Sequence, residues 1–590
     1  MKPLSRQDCS RPLCGVLAVA ACLTATFACA QNRPVERAER QRAAVLNDER
    51  YRESEATVRE DEEETGDETP LGVSIAAIRL ISDQSKTTPS PAAGPEPVDI
   101  DPELPAPEGL RATLEPYVGE PVSMALLERL AKDIVSAWRE SDHPLVDVYF
   151  PEQNITQGKI QVVVREAVLG EKRQEGAVRS RPEYLLDQLR TNPGDRINRR
   201  VVQSDLDWLN ENPIRLVNVI YERGETDGTS DIVLEVKEEK SVTAYAGFAN
   251  TGVNLTGENE VSFGFNVANP WRTEQSIGYQ HTADVDWDSL SAHSVFYQAF
   301  LPWRHTLRLI GAHVSSNADD LGLLDIEGES TQVTAEYRVP LVRPAWNRRW
   351  RHAFTAAFDY KTTNTDLIFG GFSVFGTDIA IGQFRFEYDA EFPDELGYTR
   401  FTAGLAASPG DLYGNNDDAS FMLARAGSEA DYVYGFAEVE RVIRLPRDWS
   451  LRFETEAQAT GDRLASTEQL LAGGHATVRG YDESLVRVDS GLILNVELIT
   501  PPFSVFPADR PGGDGVWNAY LFYDAAVLDI SDALPGETSP SLQSVGLGLH
   551  CRLGELGFAR ASYGWAIESH GVSPLEAGDG KFHFGMTVTY

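Results

Sequence analysis

The residues best suited to a specific polar interaction form the tetrapeptide Val478-Arg479-Gly480-Tyr481. It lies in a loop from Gly461 to Ser490 that joins two strands in which polar and apolar residues alternate. Glycine lets the backbone turn tightly, and a guanidinium group can pair with a carboxylate through two hydrogen bonds. An Arg-Gly-Tyr sequence in a loop is nevertheless typical of an ordinary turn with a solvated charge. The role of Arg479 therefore depends on the elements that position it.

Residues that could support enzymatic chemistry do not form a recognisable catalytic pattern. The ten histidines are scattered, no G-x-S-x-G nucleophile motif occurs, and no residues have the spacing of metal ligands. Of the five cysteines only Cys551 follows residue 30, which excludes an intrachain disulfide and a cysteine-based metal site in the mature chain. We therefore expect a protein that is not an enzyme and that uses no cofactor and no metal.

The charge of the chain argues against nucleic acid as a partner. The formal net charge is −37. No segment has the clustered lysine and arginine residues that bind a phosphate backbone.

Residues 1–30 have the features of a secretory signal peptide. Lys2, Arg6 and Arg11 give a positive start, residues 14–27 are apolar, and Ala28-Cys29-Ala30 is a cleavage site. Cleavage before Cys29 to give a lipoprotein is an alternative, but Thr26 fits such a site poorly. We therefore expect the chain to leave the cytoplasm.

The segment that follows, residues 31–70, is polar and becomes strongly acidic at residues 60–64. It has no wide apolar stripe and cannot build a core. Two interpretations stay open for it, a solvated helix or linker and a removable plug.

Residues 71–239 contain one order of elements twice. Strand, helix, helix, strand and strand are predicted over residues 71–83, 110–117, 121–140, 145–150 and 159–164. The same order returns over residues 167–171, 182–189, 198–209, 217–222 and 231–236. Residues 87–107 interrupt the first copy and are too rich in proline to be regular. We expect two small α+β domains, residues 71–166 and 167–239.

From residue 240 the sequence consists of short alternating strands without helices. Glu454 and Glu456 lie on the charged face of one strand, and Glu497 lies on the polar face of another. Such residues are costly in a dry core but not beside water, so these three are candidates to line a wet barrel lumen. Polar and apolar residues also alternate along the strands of a soluble β-sandwich, so a sandwich is the other interpretation. After the signal peptide no run of about 18 apolar residues occurs, which excludes a transmembrane helix.

The turns distinguish the barrel from the sandwich. Because proline cannot donate to a sheet ladder, it marks strand ends. Turns of this kind, and one glycine turn, occur at Pro270, Pro302, Pro340, Pro393, Pro446, Pro501 and Gly554. Seven turns on one side join eight hairpins, so residues 240–590 are predicted to form sixteen strands, an even number as in outer-membrane barrels. The alternating segment from Lys581 to Tyr590 has the pattern of the closing strand.

This organisation resembles the two-partner secretion transporters of the haemolysin secretion and activation family, whose small units are called POTRA domains. The best local match is residues 144–170, where residues 149–153 and 158–166 are similar to the first POTRA hairpin of the family. Shorter similarities lie at residues 250–257 and 337–341. The resemblance implies tandem α+β POTRA domains followed by a 16-stranded antiparallel transmembrane β-barrel.

The family carries an arginine-glycine-aromatic motif on its sixth surface loop, and the turn count places Val478 to Tyr481 on the sixth loop. Its partner motif, Phe-x-Asp on the inner face of the next strand, is matched by Phe522 and Asp524. The resemblance implies that the loop folds into the barrel, where Arg479 pairs with Asp524.

The same resemblance implies an outer-membrane transporter of a Gram-negative bacterium with POTRA domains in the periplasm. Edge strands of these domains bind an unfolded secreted partner by β-augmentation, and the pore passes it outward without ATP. Outer-membrane lipids, and the barrel assembly machinery that reads the strand ending at Tyr590, are further partners. Two alternatives stay open, a barrel assembly or insertase factor of the same superfamily and a passive porin.

Overall fold

The structure is a computed structural model. It describes residues 57–58, 67–89, 96–139, 145–176, 179–212, 215–226, 228–238, 240–253, 256–318, 324–344, 346–347, 349–369, 372–505, 515–554, 556–570 and 578–590. The signal peptide expected at residues 1–30 lies outside this set, as do residues 31–56 and 59–66 of the expected linker or plug. The chain divides into two compact units, an N-terminal unit of residues 49–238 and a unit that contains residues 239–590.

The N-terminal unit contains two four-stranded sheets, each with helices packed against it. Its strands are β1 (Thr57–Val58), β2 (Ala77–Ile81), β3 (Val98–Ile100), β4 (Val146–Tyr149), β5 (Lys159–Glu166), β6 (Val168–Glu175), β7 (Arg215–Arg223) and β8 (Thr229–Glu238). Its α-helices are α1 (Leu110–Leu114), α2 (Met124–Arg139), α3 (Pro182–Asp187) and α4 (Arg199–Asn210). In the described part of the chain, no helix has the length and apolar character needed to cross a membrane.

The first sheet has the strand order β3-β2-β5-β4. On α2, Leu130, Ile134 and Trp138 recur every four residues, and all three are fully buried against the sheet. The expectation that residues 87–107 lack regular structure is wrong for β3, which pairs in parallel with β2. Prolines lie on both sides of this strand and not within it, so its ladder loses no donor.

The second sheet has the order β1-β7-β8-β6. Its helix α4 begins after Asn198, whose side-chain oxygen accepts hydrogen bonds from the backbone N–H groups of Arg200 (2.9 Å) and Val201 (3.3 Å). Strand β1, from the segment expected to be a linker or plug, pairs in parallel with Ile220 and Tyr221 of β7. The tandem α+β order predicted from the sequence is confirmed.

Sixteen strands close a barrel in the second unit, and each pairs antiparallel with its two neighbours. They are β9 (Val242–Ala249), β10 (Glu260–Ala268), β11 (Gln275–Asp284), β12 (Leu290–Phe300), β13 (Thr306–Ala318), β14 (Leu324–Pro340), β15 (Arg351–Phe369), β16 (Phe372–Asp394), β17 (Gly397–Pro409), β18 (Asp431–Arg444), β19 (Ser450–Ala459), β22 (Ser490–Ile499), β23 (Val516–Asp529), β24 (Ser541–Arg552), β25 (Gly557–His570) and β26 (Gly580–Thr589). The predicted strand number is confirmed. Pairing between β26 and β9 closes the ring.

Seven connections lie on one side of the barrel, which we call the turn side. The predicted turns at six prolines and one glycine fall in these connections or in the last residues of the preceding strand. The opposite, loop side carries the eight hairpin loops. One of them contains a short helix, α5 (Asp418–Ala424), and another contains a short hairpin, β20 (Leu470–Ala472) and β21 (Val486–Val488).

Successive side chains of each barrel strand alternate between two faces. On β23, Leu521 is 60% exposed and points outward, whereas Phe522 and Asp524 are buried on the inner face. Apolar side chains therefore lie on the outside of this wall, and the carboxylate of Asp524 faces the interior together with the ring of Phe522.

Candidate functional site

The sixth hairpin loop, residues 460–489, folds back against the inner face of the barrel. Its hairpin, β20 and β21, carries a tip of residues 473–485 that contacts inner-face residues of β22, β23, β25 and β26. Val478 and Tyr481 are completely buried in the tip. The tetrapeptide is therefore placed inside the barrel and not in a solvated turn.

Arg479 lies at the centre of the contacts made by the tip. Its Nε and Nη2 atoms donate to the two carboxylate oxygens of Asp524 on β23, at 2.8 and 2.7 Å. Its backbone N–H donates to the same carboxylate at 3.0 Å, and Nη1 donates to Glu497 of β22 at 2.5 Å. Asn495 donates a further hydrogen bond to Asp524 at 2.7 Å. Paired, charge-assisted hydrogen bonds of this kind fix both position and orientation.

The charge of Arg479 is retained although the residue is buried. Burial opposes the charged form, but Asp524 and Glu497 outweigh that effect, so the pKa of Arg479 lies well above its usual value. The guanidinium group also lies over the ring of Phe522, 3.7 Å from the ring centroid, in a cation–π contact. This contact gives the phenylalanine of the Phe-x-Asp sequence a place in the site.

Gly480 brings the backbone of the tip directly against the barrel wall. Its φ is 91°, in the left-handed region that glycine adopts without strain. A methyl group on Gly564 of β25 would lie 2.6 Å from the backbone nitrogen of Gly480. That nitrogen donates to Nε2 of His583 on β26, at 3.2 Å. Sequence reasoning missed both wall residues, although a glycine inside an alternating strand is a signal of close backbone approach.

Tyr481 attaches the tip to a further strand of the wall, β24. Its hydroxyl donates to the backbone carbonyl of Gln543 on β24 at 2.8 Å. The ring packs in an apolar cluster with Val478, Leu542 and Ala566. Apolar burial thus supplements the ion pair of Arg479.

The three glutamates considered as lumen-lining residues lie on the inner face and are buried. Glu497 contacts Arg479 and also lies 3.7 Å from Nη1 of Arg452. Glu454 lies 3.2 Å from Nη2 of the same arginine. Glu456 occupies the next inward position on β19. Glu497 and Glu454 therefore belong to a charge network that begins at Arg479.

A histidine–carboxylate contact within the tip was also missed from the sequence. Glu483 accepts hydrogen bonds from the backbone N–H (2.7 Å) and from Nδ1 (2.9 Å) of His475. Burial lowers the pKa of His475 to about 4, and Arg560 acts in the same direction. Burial opposes ionisation of Glu483, but His475 and His583 offset it and hold the pKa of Glu483 below its usual range.

These contacts suit the holding of a loop. Arg479 has its hydrogen-bonding groups directed at Asp524 and Glu497. Within the described ranges, no group of three or more histidine, cysteine or acidic residues is arranged to hold a metal ion. The arrangement keeps the sixth loop in place inside the barrel.

Comparisons with known proteins agree with this architecture. Residues 376–534 match the family described as "Haemolysin secretion/activation protein ShlB/FhaC/HecB", and residues 103–167 match "POTRA domain, ShlB-type". The outer membrane transporter CdiB-2 of Burkholderia pseudomallei is 21% identical over 411 residues, which cover 66% of this chain and 67% of that protein. The heme/hemopexin transporter protein HuxB of Haemophilus influenzae is 21% identical over 463 residues, covering 74% of this chain and 76% of HuxB.

The fold is similar to a solved transporter structure over almost the whole chain. CdiB from Escherichia coli superposes with a TM-score of 0.68 at 16% identity, covering 99% of this chain and 100% of that structure. At this identity the likeness concerns the fold. The two family matches and the tandem α+β and barrel architecture confirm that this chain resembles the haemolysin secretion/activation family of two-partner secretion outer-membrane transporters.

Proposed function

We propose that this protein secretes an unfolded partner protein through its barrel after the POTRA domains have bound that partner in the periplasm. The observation that carries the proposal is the sixth loop, which is held inside a closed barrel by the contact between Arg479 and Asp524. A polypeptide that passes through the lumen must displace this loop. The turn side then faces the periplasm and the loop side faces the exterior.

The domain limits belong to this proposal. Residues 1–30 are a signal peptide, residues 31–70 a linker or plug, residues 71–166 and 167–239 the two POTRA domains, and residues 240–590 the barrel. The pairing of β1 with β7 supports binding by strand addition, because it involves an extended segment at the edge of a POTRA sheet.

Exposed apolar residues of the closing strand support two further partners of the barrel, the outer-membrane lipids and the barrel assembly machinery. Phe582, Met586 and Val588 of the closing strand point outward and are 49%, 37% and 40% exposed. Apolar side chains at these positions suit the hydrocarbon region of the membrane. We include in the proposal that the barrel assembly machinery recognises this strand, which ends at Tyr590.

Substitution of Arg479 tests the transport mechanism. Arg479→Ala leaves Asp524 buried without its cation, so we expect docking of the tip to weaken by about 3–5 kcal/mol. We expect secretion to fall, because transport requires the loop both to leave this site and to return to it. Secretion of the partner protein is measured together with the fraction of heat-modifiable barrel in the membrane; a large secreted protein, if one is encoded beside this gene, is the partner to use. Secretion at the wild-type rate would contradict a gating role for this contact.

The reversed pair is the matched control. Asp524→Arg alone is expected to impair secretion, because it places two cations together. Combining it with Arg479→Asp restores opposite charges at the same two positions, and we expect partial recovery. Failure of the combination to exceed either single variant would show that the pairing itself is not what matters.

A further inference from the structure

A second ion pair joins the sixth loop to the barrel wall, away from Arg479. We call residues 460–469 the stem of the loop. Glu468 in the stem contacts Lys361 of β15, with 2.7 Å between Oε1 and Nζ. The side chains are only 1% and 5% exposed. A buried charge contact therefore connects the stem to the wall.

Polar groups from neighbouring strands complete the surroundings of Glu468. Its Oε2 accepts hydrogen bonds from Nε2 of Gln383 on β16 and from the hydroxyl of Tyr434 on β18, each at 3.0 Å. The side-chain oxygen of Gln383 accepts from the hydroxyl of Tyr432 at 2.8 Å. A buried carboxylate is costly unless its oxygens are paired, and here both oxygens have partners. The wall is therefore specifically complementary to Glu468.

Apolar contacts hold the stem at the same place. Leu464 and Ala465 are buried in a cluster with Ile379 and Ile381 of β16 and with Phe421 of α5. The tip belongs to a separate cluster that involves β22 to β25. The loop is thus attached to two sectors of the wall, and each attachment combines an apolar cluster with a buried ion pair.

We propose that Lys361 and Glu468 form a second latch, a positioning pair that keeps the stem against the wall until a polypeptide passes. This inference rests on the proposed function, in which the sixth loop must move. Release of Arg479 frees the tip but leaves the stem anchored between β15 and β18. The channel opens fully only when both ion pairs break. Each ion pair therefore lowers the open probability of the channel.

Channel recordings of the full-length protein in planar lipid bilayers test the latch. The variant Lys361→Met with Glu468→Gln removes both charges and keeps similar side-chain bulk. We expect its open probability to rise about tenfold, the factor that corresponds to loss of one hydrogen bond to a charged group. The fraction of heat-modifiable barrel is expected to equal that of the wild type.

A matched control removes an ion pair of the wall that does not involve the loop. Arg338 of β14 and Asp389 of β16 lie 2.9 Å apart, and neither belongs to the sixth loop. The variant Arg338→Met with Asp389→Asn is expected to leave the open probability unchanged. An equal rise in both double variants would overturn the latch, because general weakening of the wall would then explain the effect.

A charge-reversal cycle gives a second measurement, which also decides the matter if the neutral variant does not fold. Lys361→Glu and Glu468→Lys are each expected to raise the open probability, and their combination is expected to return it towards the wild-type value. If openings are unchanged in all these variants while Arg479→Ala increases them, the latch is wrong and the proposed function stands. If Arg479→Ala alters neither openings nor secretion, the gating role of the Arg479–Asp524 contact fails as well, whereas a wild-type protein that secretes no partner would overturn the proposed function.

Discussion

Two glycines set the distance between the tip of the sixth loop and the wall. Gly480 turns in the left-handed region, and Gly564 leaves room for its backbone on the inner face of β25. Arg479 donates both its side chain and its backbone N–H to Asp524. If the tip moved away from the wall, all of these hydrogen bonds would lengthen together. The charged contact therefore depends on the absence of a side chain at Gly564.

We therefore predict that Gly564→Ala weakens tip docking. The added methyl group meets backbone atoms and not a flexible side chain, and overpacking of this kind costs about 1–3 kcal/mol. Secretion is expected to fall and channel openings to increase, as for Arg479→Ala. Gly311→Ala in β13 is the control, because nothing lies within 4 Å of the added methyl group. Equal behaviour of the two variants would exclude close backbone contact as the reason.

At the scale of elements, the first and last barrel strands pair with each other over fewer residues than they pair with their other neighbours. Strand β26 pairs with β25 from Gly580 to Val588 but pairs with β9 only from Gly585 to Thr589. Beyond the end of β9, the backbone N–H of Asn250 donates to the carbonyl of Phe584 at 3.1 Å, and the Asn250 side chain adds two further hydrogen bonds. Its Oδ1 accepts from the backbone N–H of Phe584 at 2.5 Å, and its Nδ2 donates to the carbonyl of Phe582 at 2.7 Å. One amide side chain thus extends the closure towards the loop side.

We predict that Asn250→Ala destabilises this closure by about 1–2 kcal/mol, since both side-chain hydrogen bonds are lost. The temperature at which the folded barrel unfolds in detergent is expected to fall. Asn250→Asp keeps an acceptor for Phe584 but loses the donor to Phe582, so an intermediate temperature is expected. An unchanged temperature for the alanine variant would show that backbone pairing alone closes the barrel.

At the scale of the whole molecule, the two units remove their apolar residues from water in different ways. The N-terminal unit buries them between helices and sheets in two cores. The barrel turns many of them outward, where Leu521, Leu547 and Phe582 are 60%, 49% and 49% exposed. Its interior carries carboxylate, guanidinium and amide groups beside the two apolar clusters that hold the sixth loop. The hydrocarbon of the membrane therefore covers the outer apolar face of the barrel, and the alternation of this face with polar residues is consistent with the low mean hydropathy of the chain, −0.30.

A charge on the outer face tests this arrangement. Leu521 lies on β23, between the turn-side end at Val516 and the loop-side end at Asp529. We predict that Leu521→Arg destabilises the inserted barrel by about 2–4 kcal/mol, the cost of an arginine near the middle of the membrane. Denaturant unfolding from lipid vesicles measures the effect. Leu534→Arg, at a residue between β23 and β24 that is 41% exposed, is the control and is expected to change stability little. A similar loss in both variants would contradict lipid exposure of Leu521.

Much of the fold could be predicted because its signals are local. Alternation along a strand follows from the backbone geometry of a few consecutive residues, and prolines at strand ends follow from their missing N–H group. These two signals led to sixteen strands, and the family resemblance identified Arg479 and Asp524. The strand at Val98 was missed because three residues between prolines carry too short a pattern to be recognised.

The sequence by itself determined the order of the elements, the two faces of the barrel strands and the position of the tetrapeptide on the sixth loop. The tertiary structure alone decided that Gly564 and His583 receive the tip, and that Lys361 binds Glu468. The physical reason is register. Residues far apart in the chain come into contact only when the barrel closes and the sixth loop folds inward. No local sequence pattern determines the register between the strands, and the register decides which of these residues lie side by side.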